Sequence, residues 1–211
     1  MMRKPFAAVT VLSCALVLST ACQDGRDESG EVDRTPLPVV AAPPYICDRI
    51  PLKAVELMTG VRNPLVRGHF NLASAEGFGI GSCAVYQRSG DRLKVLLITL
   101  APGGYPEEVE EQLDDGAAAL PEIVPGSIGY YFKSSHSTSN AAYAMLVRGK
   151  TEISIQLDIG VKGRDNAADV LALMKLIAPR LITDAGAPSA KPAPTASPSP
   201  KSKGSASPKG D

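Results

Sequence analysis

His69 and His136 are the two histidines of this chain, and Cys14, Cys22, Cys47 and Cys83 its four cysteines. Two imidazoles far apart in sequence leave a thin supply of metal ligands and general bases. Ser134-Ser135-His136-Ser137 sets hydroxyls beside an imidazole, but sequence neighbours rarely make a nucleophile–base pair. Gly126-Ser127-Ile128-Gly129 departs from the Gly-x-Ser-x-Gly pattern of a nucleophile elbow. No third group that would orient either histidine is identifiable. Gly77-Phe78-Gly79-Ile80-Gly81 has Ser82 where the dinucleotide fingerprint needs its third glycine, and a strand follows instead of a helix. Glu107, Glu108, Glu110, Glu111, Asp114 and Asp115 read as the solvated face of a helix, because no histidine or second carboxylate cluster completes a metal site. The expectation is therefore no catalytic residue, no metal and no cofactor. A small hydrolase using His136 or His69 is the alternative.

The cysteines carry more information. Arg3 and Lys4 form a positive n-region, and Phe6 to Leu18 an apolar h-region too short to span a bilayer. Leu18-Ser19-Thr20-Ala21-Cys22 then places small residues directly before a cysteine. This resembles a bacterial lipobox, in which the signal is cut before the cysteine and the sulfur receives a diacylglycerol. Ser19 stands where leucine is usual. Cys14 is a rival, but it leaves too short an h-region after Lys4. The alternative is an ordinary secretory signal cut near Ala21. Two acyl chains on Cys22 would anchor stably where one would not. Cys47 and Cys83, left over in an exported domain, read as one disulfide.

Four segments follow: a lipoprotein signal over 1–21, a tether over 22–44, a globular domain over 45–184 and a tail over 185–211. The tether is acidic first and proline-rich later, with a root-mean-square reach of about 25 Å as a flexible coil. The tail consists of Ala, Pro, Ser, Lys and Gly with no apolar periodicity. A contact with anionic wall polymer or a glycan-modified stalk is one reading of it, and a solvated tail, which composition favours, the other. Lys and Arg total 22 against 22 Asp and Glu, so net charge suggests no nucleic-acid partner.

Within the domain, Pro51 suits the first turn of a helix that Gly60 ends. Val61 to Gly77 reads mostly as loop, with an edge strand near Leu65 to Leu72. Gly79 to Gln87 and Arg92 to Leu100 are strands about a Ser89-Gly90-Asp91 turn; the second, apolar at both parities, is expected to be central and covered on both faces. A helix over Pro106 to Leu113 starts with acids at its positive end. A strand over Ile128 to Lys133 precedes a hairpin of Ala141 to Arg148 and Thr151 to Ile159. Ile153, Ile155, Leu157 and Ile159 alternate with Glu152, Ser154, Gln156 and Asp158, which marks a sheet with one wet side. Asp165 caps a helix whose Val170, Leu173, Met174, Ile177 and Leu181 face the sheet, and Pro179 limits how far it runs. The fold class is α+β: a two-layer domain, an antiparallel sheet with helices on one face and one disulfide.

The order of these elements, from lipobox and tether through Cys47, a helix ending in Thr59-Gly60, Cys83-Ala84-Val85-Tyr86, a strand pair and a final amphipathic helix, resembles the small cell-envelope lipoproteins of actinobacteria that carry a domain of unknown function. The resemblance covers about Tyr45 to Thr183. It implies a domain anchored to the cell membrane on its extracytoplasmic face, with no assigned activity and no catalytic residue to transfer. The expected function is a non-catalytic binding domain, with cell-wall polymer or another envelope protein as partner; a small cell-envelope hydrolase is the alternative. Arg62, Arg67, His69 and Phe70, in the stretch read as a long loop, are the candidate binding residues, able to pair with anions and to offer an aromatic contact.

Overall fold

The computed structural model describes residues 32–73, 78–134 and 138–182. Among them the chain runs β1 (Tyr45–Ile46), β2 (Ile50–Pro51), α1 (Leu52–Thr59), β3 (Leu65–Asn71), β4 (Ile80–Tyr86), β5 (Lys94–Pro102), α2 (Pro106–Asp114), β6 (Ala118–Ala119), β7 (Ile128–Lys133), β8 (Ala142–Arg148), β9 (Thr151–Leu157) and α3 (Asn166–Leu181). β1 and β2 form a small hairpin of their own. The other strands make one antiparallel sheet in the order β3-β4-β5-β9-β8-β7-β6. No described helix is long and apolar enough to cross a membrane.

The period of two in β9 sets the layering. Ile153, Ile155 and Leu157 are buried, and so are Leu96, Ile98 and Leu100 opposite them on β5. Val170, Leu173, Met174 and Ile177 of α3 and Val55 and Met58 of α1 close this core from the same side. The expected α+β antiparallel sheet with one disulfide is what the chain builds, but only α1 and α3 share a face. α2 lies on the other face. Its Val109 is buried against Tyr130, Met145 and Val147, whose parity on β7 and β8 is opposite to that of the main core.

Local chemistry explains the element ends. Gly60 takes φ 71° and closes α1 through its N–H on the carbonyl of Glu56, as a left-handed cap should. Pro51 precedes α1 as its cap residue, one position earlier than the first-turn role expected of it. The Asp165 carboxylate accepts from the N–H of Ala168 at 3.1 Å. Pro179 does not stop α3, which continues to Leu181. A proline so near the end removes one backbone bond while the buried Ala178, Leu181 and Ile182 keep the last turn packed.

The edge strand expected near Leu65 to Leu72 is β3, paired along its length with β4. Gly68 and Gly81 allow that pairing: a Cβ on either would lie 2.1 or 2.2 Å from a carbonyl oxygen of the facing strand. The later part of the tether is not free. It forms no helix or strand, yet Leu37 is only 5% exposed. Arg164 bonds the carboxylate of Asp169 through Nε at 2.8 Å and Nη2 at 2.7 Å. Its Nη1 donates to the carbonyls of Asp33 and Thr35, at 3.0 Å for Thr35. A short strap thus crosses α3 before the chain enters β1.

Candidate functional site

The face of the sheet away from α1 and α3 carries the polar side chains that the strands cannot bury. Register places His69, Ser82, Thr99, Ser154, Met145 and Tyr130 in one row across six strands. The neighbouring row holds Arg67, Ala84, Leu97, Gln156, Tyr143 and Phe132. From β3 to β9 these side chains are exposed or half-buried. β5, expected to be covered on both faces, is covered on one: Leu97 and Thr99 remain partly open although the strand is central.

At the far end an aromatic trio bounds this face. The Tyr130 and Phe132 rings stack at 6.2 Å, and Tyr143 tilts against them at 5.9 and 5.6 Å. Burial pushes the Tyr130 phenol well up, helped by Tyr143 and the charge of Glu108. Tyr143 is raised by burial and then by Glu152, with a hydrogen bond to Ser154 pulling the other way. Glu152 is raised by burial and by Glu108. Phenols held neutral do not act as bases or nucleophiles; they stack and hydrogen-bond. The face is cationic at the β3 edge, through Arg67, and acidic near α2.

The expected site residues divide. Cys47 and Cys83 are bonded, with Cα atoms 5.9 Å apart. Arg67 and His69 share the outer face of β3, and the Arg67 guanidinium lies 5.5 Å from the centre of the Tyr86 ring. Phe70 points the opposite way and packs half-buried on the main core. Arg62 is exposed in the turn after α1, apart from this face. Arg62, Arg67, His69 and Phe70 therefore do not form one surface. Strand alternation along β3 separates Phe70 from His69, and grouping the four residues as one surface overlooked it.

Ser82 faces His69 across the strand pair. Arg67, Asn71, Ile80 and Ala84 flank these two residues on the same face of the two strands, and none supplies the carboxylate that would orient a catalytic imidazole. His136 and Cys22 lie outside the described residues. Among those described, no group of three or more His, Cys, Asp or Glu side chains is arranged to hold a metal ion. The aromatic trio was missed by sequence reasoning. Its signal is the shared parity of Tyr130 and Phe132 and of Tyr143 and Met145, readable only once β7 is paired with β8.

Comparison of the chain with protein-family models, curated proteins and solved structures finds no match.

Proposed function

We propose that this protein is an extracytoplasmic lipoprotein, held on the cell membrane by a diacylglycerol on Cys22, whose folded domain is a non-catalytic binding module. The observation that carries the reading is the open outer face of the sheet. Polar rows from Arg67 and His69 to Ser154 and Gln156 end at the exposed Phe132 ring and the half-buried Tyr143, both packed on buried Tyr130. Such a face offers hydrogen bonds, an aromatic edge and a charge gradient. It suits a cell-wall polymer or another envelope protein better than a small buried substrate. The anchor rests on the charged n-region and on the small residues before Cys22. The hydrolase alternative would need a group to orient its histidine, and among the described residues the neighbours of His69 on its face of β3 and β4 supply no carboxylate.

Cross-linking in intact envelopes, followed by purification of the chain, tests the reading. Arg67 and Gln156 are exposed in one row, and Arg67→Glu with Gln156→Glu gives up the Arg67–Tyr86 contact and the hydrogen bond from Gln156 to Asp158, so it should cost about 1–2 kcal/mol and leave the core intact. The double variant is expected to lose the partner that the parent recovers. Equal recovery by both would remove this face as the binding surface. Phe70 is left alone in that test, because its ring belongs to the core.

A further inference from the structure

The strap and α3 enclose a trough of about 730 Å³. Its apolar floor and walls are Leu37, Val39, Ala172 and Leu176, and Arg34 and Lys175 stand at its rim. We propose that this trough binds the alkyl chain of an anionic amphiphile, with its head group between Arg34 and Lys175. Three observations carry the proposal. The first is that the trough is built, not left over. The strap has no backbone ladder of its own, and a nearly sealed guanidinium–carboxylate pair, its side chains 4% and 8% exposed, fixes it across the helix. Leu37 plugs it into the core at one point, while Val39 beyond stays 95% exposed at the mouth of the trough.

The second observation is size and lining. The volume falls in the ordinary range for small-molecule sites, and Leu37, Ala172 and Leu176 give it an apolar floor beside the charged residues that also line it. The third is charge. Asp169 is already paired with Arg164. Of the other charged residues lining the trough, all exposed, Arg34 and Lys175 are cations and Asp165 is a carboxylate that also accepts from the Ala168 N–H, so the rim is net cationic. An apolar slot with such a rim is complementary to an alkyl chain carrying a carboxylate or phosphate.

The site is independent of the outer sheet face and of lipidation, so the full chain carrying Cys22→Ala can be used without detergent. Palmitate and the soluble lipid dihexanoyl phosphatidylglycerol serve as probes in calorimetric titrations. Saturable binding of palmitate alone assigns a single-chain carboxylate as the ligand, and binding of the phosphatidylglycerol assigns a phospholipid head group. Ala168 is exposed on the wall of the trough, so Ala168→Trp should fill it with the melting temperature unchanged and weaken either probe about tenfold or more, a loss of ~1.4 kcal/mol. Arg34→Glu with Lys175→Glu should weaken palmitate but not hexadecanol. Saturable binding of neither probe, or binding indifferent to Ala168→Trp, overturns the proposal.

Discussion

Arg164 and Asp169 show how much a single pair of side chains can organise. Both are nearly sealed from water, and the guanidinium uses its two remaining directions on strap carbonyls. Asp169 in turn holds Arg164 further above its ordinary value through their hydrogen bonds. Removing one partner leaves a buried charge uncompensated. Asp169→Ala is therefore expected to destabilise the domain by about 3–5 kcal/mol, and Arg164→Met with Asp169→Leu to restore most of that loss, because two apolar groups leave no charge behind. Urea midpoints of the three proteins check it. Glu152 works in the other sense. Burial and Glu108 raise its value in the fold, so the folded state holds its proton more tightly than the unfolded chain. The folded state is then favoured below the ordinary glutamate value of about 4.3, and that advantage is lost as pH rises through the raised value. Glu152→Gln should raise the melting temperature at neutral pH and flatten its decline between acid and neutral pH. An unchanged profile would mean that Glu152 ionises in the fold as freely as in water.

At the scale of elements, the disulfide joins the β1–β2 hairpin to the buried strand β4 across a sequence separation of 36. Cys47 and Asp48 sit in that hairpin turn at φ 45° and 64°, a conformation that non-glycine residues adopt only when their surroundings hold it. The bond is the natural candidate for that hold, because Cys83 is fully buried and cannot follow a moving turn. Cys47→Ala with Cys83→Ala is expected to cost about 3–4 kcal/mol by releasing the loop in the unfolded chain. It should be read from chemical denaturation with and without reductant, and only the parent should respond to the reductant. The elements themselves differ in how plainly the sequence announces them. β9 and α3 each have one buried face and keep their periods over whole turns or pleats, so their type and inward residues are legible. β3 is legible only as an edge strand within a stretch otherwise read as loop, because an edge strand buries little. Arg67, Gly68 and His69 are all exposed and interrupt any apolar alternation. Nor does periodicity reveal that α2 crosses to the opposite face, since Val109 is its one fully buried apolar anchor and could have met either side. The strap is invisible for a related reason. Its hold on α3 comes from Arg164, about 130 residues away in sequence, and no local pattern carries that information.

At the scale of the whole molecule, the proposed anchor and the proposed binding face would make separable contributions. Formal charge balances, yet the outer sheet face is cationic at its β3 edge and acidic towards α2. Affinity would come from that face. The anchor on Cys22 would contribute only concentration, by confining the domain to the surface where its partner lies. These roles predict different outcomes for one substitution. Cys22→Ala should move the protein from the detergent phase to the aqueous phase and sharply reduce partner recovered by cross-linking in cells. The same variant immobilised on beads at high density should recover the partner as well as the parent does, because the bead replaces the membrane as the source of local concentration. Arg67→Glu with Gln156→Glu should fail in both settings while remaining in the detergent phase. Retention of Cys22→Ala in the detergent phase would remove the lipid anchor and leave the sheet face standing. A Cys22→Ala protein that is released yet fails on beads would mean that the acyl chains themselves form part of the binding surface.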